Sequence, residues 1–336
     1  MSKTLVTKWL SLCCLTVIFM IFIGGVTRLT GSGLSIVEWQ PITGIIPPLN
    51  ARQWQIEFAK YQTFPEYHIR YGMTLLEFKF IYWLEFIHRL VGRATGLIYL
   101  LPLIYFYLKR EIKRYSILPY ISVLILFFMQ GFMGWYMVKS GLVNHPAVSH
   151  FRLACHLIIA VIIYHLLFYQ LIKNSFDILL ISPQINLKIP LFFCLVAIAI
   201  VYGQIFLGGL VAGLNGGLIY NSFPLMGDSF IPLEIKNNFS NINNWYDPVF
   251  VQFIHRLGAY SVFIIVSFLI VSLLKIRHPK LNKVAYYLII ALLMQMLTGI
   301  LTILYAVPLI IALIHQIFAI ILLSTIVWCY FLVKDT

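Results

Sequence analysis

FIHRL stands at residues 86–90 and again at residues 253–257, 167 positions later. The matches around it give this identity weight. Met129–Gln130 recurs as Met294–Gln295, and a glycine follows each glutamine by four residues, Gly134 and Gly299. Gly24–Gly25 recurs as Gly208–Gly209, each near the end of an apolar run and ahead of a glycine-rich segment. His156 in the first half has His315 as its counterpart in the second. An ordered series of matches at similar offsets is the mark of a duplicated architecture. The chain therefore reads as two halves, 1–175 and 185–336.

The material of those halves is set by composition. The chain has 336 residues, of which 61% are hydrophobic and 10% charged. Its mean hydropathy is +0.91. A soluble domain carries about 25% charged residues, so a soluble globular protein, a disordered chain and a collagen-like fibre are excluded. A spanning helix needs about 20 mostly apolar residues. Eight stretches qualify, at 9–27, 80–107, 117–138, 148–172, 189–212, 249–274, 284–306 and 308–333, the last two parted by a tight turn near Pro308. The first is too long for a secretory signal and lacks a small-residue cleavage site, so it reads as a retained helix. Four spans per half is an even number, so the repeat is parallel rather than inverted. The expected fold is an all-α polytopic membrane protein, with eight transmembrane helices forming two pseudo-symmetric four-helix bundles.

The formal charge is +13. With both termini placed in the cytoplasm, the inner segments, from Lys3 to Lys334, hold thirteen basic and three acidic residues. The outer segments hold seven of each. This is the asymmetry that orients proteins in a membrane. It predicts a multi-pass protein with both termini cytoplasmic, for which the inner (cytoplasmic) membrane is the expected location, and a nucleic-acid partner is not needed to explain the basic balance. The remaining charge lies in the spans: Arg89, Arg93, Arg152 and Arg256 against Glu85. Charges there are costly and mark function by default. The five cysteines, Cys13, Cys14, Cys155, Cys194 and Cys329, all fall in spans and read as small packing residues, with no disulfide framework.

Of nine histidines, His68 and His145 fall in outer loops and His278 in an inner one, where solvated roles suffice. His150 and His165 lie towards the two ends of the fourth span. His88, His156, His255 and His315 share a pattern. Each lies six to eight residues into an even-numbered span, which puts all four about 10 Å below the outer surface at a rise of about 1.5 Å per residue. Second and fourth helices of a bundle can be diagonal, with side chains meeting in the core. Zinc would want further ligands. Two opposed imidazoles instead suit a planar macrocycle, which favours haem. Two sites follow, His88 with His156 and His255 with His315. Arg89, Arg93, Arg152 and Arg256 could pair with haem propionates. Gly92 and Gly96 read as a close-packing pair on the second span.

The halves differ at one telling place. Three residues before His88 is Glu85, and three before His255 is Gln252. A carboxylate so placed costs several kcal/mol unless paired or protonated, and Gln would avoid that cost. Glu85 is thus a catalytic acid or base beside a first-half haem, or the salt-bridge partner of Arg89.

At this point the sequence resembles a known family. GGVTRLTGSGLS (24–35), EFIHRLVGRATG (85–96), HFRLACHL (150–157), FIHRLGAY (253–260) and IHQIFA (314–319) resemble the heme A synthase family over essentially the whole chain. The GG-rich exit of the first span is distinctive but carries no evident chemistry. The resemblance implies a haem b cofactor bound through His255 and His315. It implies a substrate, heme O, near His88 and His156, with Glu85 essential. The implied reaction oxidises one ring methyl to a formyl group by two hydroxylations and loss of water, giving heme A for heme-copper oxidases. One branch of the family carries a cysteine pair in its first outer loop. This chain has none there and so resembles the proteobacterial and mitochondrial branch. Implied partners are the lipid bilayer, an unidentified electron donor, and either a second copy of the chain or the enzyme that makes heme O. The alternative is a di-haem membrane cytochrome that takes electrons from quinol. It shares the four histidines but gives Glu85 no task.

Overall fold

The computed structural model describes residues 2–40, 43–112, 117–141, 148–175, 185–236 and 241–334. His145, Lys113, Arg114, Asp177 and Asp335 fall outside the described residues. Among the described residues the protein is helical throughout, with no strand beyond one isolated bridge between Met226 and Ser229.

Eight helices are long and apolar enough to cross a membrane. They are α1 (Ser2–Leu29), α4 (Leu75–Leu108), α5 (Leu118–Gly141), α6 (His150–Ser175), α7 (Lys188–Gly213), α9 (Pro248–Lys275), α10 (Pro279–Leu304) and α11 (Leu309–Lys334). Three shorter helices, α2 (Ala51–Gln62), α3 (Pro65–Ile69) and α8 (Leu233–Lys236), lie in the long connections. Helix is the expected answer for apolar runs of this length, because in hydrocarbon each backbone N–H and C=O must find its partner within the segment. The turn expected near Pro308 is present. Ala306 and Val307 adopt left-handed φ values of 55° and 58°, and α11 starts directly after the proline.

The chain forms two compact units. One comprises Leu12–Ile163, the other Met1–Ser11 with Tyr164–Thr336, so the divisions fall inside α1 and α6. In the second unit α7 packs against α9 and α11, and α10 packs against the same two. This ring of contacts puts α9 and α11 on a diagonal. Cys194 on α7 and Cys329 on α11 meet in its core, with sulfurs 3.4 Å apart. Tyr164 and Ser324 share a hydrogen bond of 2.8 Å, and His165 pairs through Nδ1 with the Tyr202 hydroxyl at 2.7 Å.

In the first unit the segment read as an outer loop is largely helical. Asn50 caps α2 by accepting from the Gln53 N–H. Thr74 and Glu77 form a capping box that starts α4 at Leu75. The first turns of α4 then carry Phe78, Ile81, Tyr82 and Phe86, which are buried with Trp54 and Tyr61 of α2. Phe78 touches Phe58 and Tyr61 at centroid distances of 5.1 and 5.2 Å, and Trp54 meets Tyr82 edge-on at 5.0 Å. Each buried ring removes apolar area worth roughly 1.5–3 kcal/mol from water. This aromatic core extends α4 beyond its membrane-length stretch. Further along, Tyr99 of α4 is fully buried and donates to the Tyr120 carbonyl of α5 at 2.8 Å.

Candidate functional site

His88 lies 13 residues into α4, whereas His156, His255 and His315 lie six or seven residues into their helices. The expected match at six to eight residues fails for His88, because the aromatic core starts α4 early. Counted from the other end, the match is close. His88 is 20 residues from the C-terminal end of α4, His156 is 19 from that of α6, His255 20 from that of α9, and His315 19 from that of α11. That is about 30 Å along each helix, roughly one hydrocarbon thickness. The four imidazoles thus stand at matched distances from those helix ends.

All four histidines are partly buried residues. Each also lies against a glycine of a neighbouring helix. A Cβ placed on Gly24 of α1 would be 3.5 Å from Cε1 of His88, and one on Gly134 of α5 3.4 Å from Cε1 of His156. In the second unit a Cβ on Gly208 of α7 would be 3.3 Å from Cε1 of His255, and one on Gly299 of α10 only 2.8 Å from Cε1 of His315. Ring nitrogens of His255, His315 and His156 meet polar neighbours. Nδ1 of His255 is 3.1 Å from the Gln204 amide nitrogen, which also lies 3.4 Å from Nε2 and donates to the His255 carbonyl. Nδ1 of His315 is 3.3 Å from the Thr298 hydroxyl. In the first unit the Gln130 amide nitrogen is 3.2 Å from Nε2 of His156, and Nδ1 of that ring is buried without a hydrogen-bond partner. Histidines on helices that are diagonal in the second unit, a glycine cradle at each ring and an orphaned ring nitrogen on His156 suit a flat iron macrocycle. Among the described residues, no three His, Cys, Asp or Glu side chains converge as they would on a bare metal ion.

Glu85 is buried, and its carboxylate is fully engaged. Oε2 accepts from the Ser35 N–H and the Ser35 hydroxyl, both at 2.7 Å, and from the Ile36 N–H at 2.9 Å. Oε1 pairs with Arg89 at 2.6 Å. The salt bridge considered from the sequence is thus present, along with a set of donors that the sequence did not disclose. Arg89 also donates to the carbonyls of Ile36 and Glu38 and lies 5.1 Å from the Trp39 ring centre. One turn on, Arg93 donates to the Gln40 carbonyl at 3.0 Å. Residues 35–40 thereby form a strap tied to three successive turns of α4. The second unit uses the same helical positions. Gln252 donates to the Tyr220 carbonyl at 3.0 Å, and Arg256 donates to the carbonyls of Tyr220, Ser222 and Leu225.

Three arginines expected to face propionates, Arg89, Arg93 and Arg256, therefore spend much of their donor capacity on these connections. Arg256 retains an Nε without a partner. Arg152 donates to the Tyr136 hydroxyl at 3.2 Å and stacks over that ring at 4.3 Å. Of the glycine pair on α4, Gly92 faces the Met20 methyl at 3.4 Å, while a Cβ on Gly96 would meet nothing within 4 Å. Only Gly92 therefore marks a close approach. The glycines and glutamines beside the histidines were missed as partners, although the repetition of the glycines in the sequence was a usable signal.

Residues 7–327 match the model of the cytochrome oxidase assembly protein family (COX15-CtaA). The chain belongs to this family. Similar members of the cytochrome oxidase assembly protein family include heme A synthase of Rickettsia felis and heme A synthase of Rickettsia bellii, each 70% identical over the full length of both chains. The heme A synthase of Rickettsia canadensis is 69% identical over the same extent. Family membership thus extends over both compact units and covers all four histidines and Glu85.

Proposed function

We propose that this chain is a heme A synthase, a multi-pass membrane oxidoreductase that converts a methyl group of heme O into the formyl group of heme A. Full-length relatives bear that name. The observation that carries the assignment within the site is an asymmetry: a duplicated set of cradled histidines accompanied by one unduplicated buried carboxylate. In a purely electron-carrying di-haem protein Glu85 would serve only to tie the strap to α4.

The C-terminal bundle, 185–336, holds haem b between His255 and His315, whose helices are diagonal. When bound, haem b supplies one-electron transfer. The N-terminal bundle, 1–175, receives heme O beside His88 and His156. Glu85, His88 and His156 form the catalytic set. Glu85 accepts from four donors and so holds the strap against α4. Arg256, through its unpartnered Nε, and Arg89, Arg93 and Arg152 line the approach for haem propionates. The charge asymmetry supports cytoplasmic termini, and the likeness to bacterial heme A synthases supports the inner membrane. Electrons come from a donor outside this chain. The enzyme that supplies heme O and a second copy of this chain are the natural contacts.

Pigment extraction with mass spectrometry of the purified protein tests the assignment. Heme O or heme A alongside haem b is the expected result. Haem b alone, in two equivalents per chain, would establish the di-haem cytochrome instead.

A further inference from the structure

The doubled glycines at 24–25 and 208–209, and the glycines four residues after each Met–Gln pair, are the repeated motifs that the reaction itself leaves unexplained. In all four cases the structure gives them the same neighbour. The atom nearest to a Cβ built on Gly24, Gly134, Gly208 or Gly299 is Cε1 of a site histidine. The four contacts involve different helix pairs and are separated by up to 275 residues of sequence.

We infer that Gly24, Gly134, Gly208 and Gly299 are positioning residues for the four imidazoles. The absent side chain lets the Cε1 edge of the ring rest on the neighbouring helix, which fixes the rotation of the ring and so the direction of its nitrogen lone pair. This inference rests on the assignment of the histidines as haem ligands. The second torsion of a histidine is broad and roughly two-fold, so the side chain does not set its own ring plane. Cε1 lies between the two ring nitrogens. A methyl group placed against it turns or tilts both nitrogens, whichever of them ligates. One polar partner, such as Gln204 at His255 or Thr298 at His315, restrains one nitrogen. The glycine contact supplies the second constraint, and the two together define a plane. Second-sphere contacts of this kind orient ligands and tune a metal.

The distances rank the effect. A Cβ at Gly299 would sit at 2.8 Å from Cε1 and 3.3 Å from Nδ1 of His315, so the ring must move. At Gly208 and Gly134 the contacts of 3.3 and 3.4 Å require small shifts, and at Gly24 the contact of 3.5 Å is ordinary. The same helices contain built-in controls. A Cβ on Gly203 of α7 or on Gly131 of α5 would meet nothing within 4 Å.

The experiment uses the full-length protein purified in detergent, with G299A, G208A, G203A and H255A compared by haem-to-protein ratio, optical spectrum and electron paramagnetic resonance of the ferric haem b. G299A is expected to lose more than half of its haem b. G208A is expected to retain most of it with shifted g-values, and G203A to match the wild type. Supplied with heme O, G134A is expected to retain less than G24A, with G131A unchanged. G208A and G299A spectra and occupancies equal to those of G203A would overturn the inference. If G299A yields no folded protein, the milder G208A decides by its g-values alone. H255A separates the two levels. Retention of an unaltered haem b in H255A defeats the ligand assignment itself, whereas loss of haem b in H255A with silent glycine variants defeats only the positioning role.

Discussion

Ser35 donates twice to one oxygen of Glu85, from its backbone N–H and from its hydroxyl, each at 2.7 Å. The repeat reverses this chemistry. Gln252, at the position of Glu85, donates to the Tyr220 carbonyl. At this one position the first long connection presents donors to α4, and the second presents an acceptor to α9. Each connection matches the residue it meets, which is why Glu and Gln are not interchangeable here despite their shape.

Replacing Glu85 with Gln leaves one acceptor oxygen for three donors and sets an amide where Arg89 needs a carboxylate. We predict that E85Q makes no heme A and still holds haem b. Pigment extraction reads both at once. Normal heme A output from E85Q would show that the reaction takes place elsewhere in the chain.

Ser35→Ala removes one charge-assisted hydrogen bond and leaves the two N–H donors in place. Such a bond is worth about 1.5–3 kcal/mol, which corresponds to roughly a tenfold to hundredfold loss in a rate that depends on Glu85 being held. S35A is predicted to lower heme A formation by that order with haem b content unchanged, and S35T to recover much of it because the hydroxyl returns. Equal rates for S35A and the wild type would remove Ser35 from the mechanism.

His255→Ala and His315→Ala are each expected to abolish the haem b absorption bands. His88→Ala and His156→Ala are expected to retain those bands while turnover of added heme O stops. Spectra of the four purified variants test the division of labour. Haem b lost from H88A rather than from H255A would reverse the roles of the two halves.

Phe78→Ala opens a cavity between α2 and α4, at the centre of the aromatic core. The cost is about 3–5 kcal/mol. Thermal unfolding in detergent should show a lowered transition, and limited proteolysis should cut the 43–74 segment sooner. The haem b spectrum should not change, because His255 and His315 draw on other helices. A wild-type melting curve would mean that this core contributes little.

Much of the architecture was legible along the chain. Hydropathy and length placed eight spans to within a few residues at most ends, because a helix in hydrocarbon satisfies its backbone locally. The repeat of FIHRL singled out the histidines, and the break from Glu85 to Gln252 marked the residue that differs. The helices α2 and α3 were not legible as helices. Trp54 and Tyr61 pack α2 onto α4, and Tyr67 packs α3 onto Phe58 and Tyr61 of α2, which their short, mixed sequence does not announce.

The sequence by itself determined the spans, the duplication and the candidate ligands, since each depends on composition and periodicity within one segment. Only the tertiary structure decided the pairings. That Ser35 meets Glu85 across 50 residues, that each of the four candidate histidines lies against a glycine of another helix, and that α9 and α11 stand on a diagonal all depend on how helices rotate and pack against one another. That rotation is set by the fit of many side chains at once, and no single stretch of sequence encodes it.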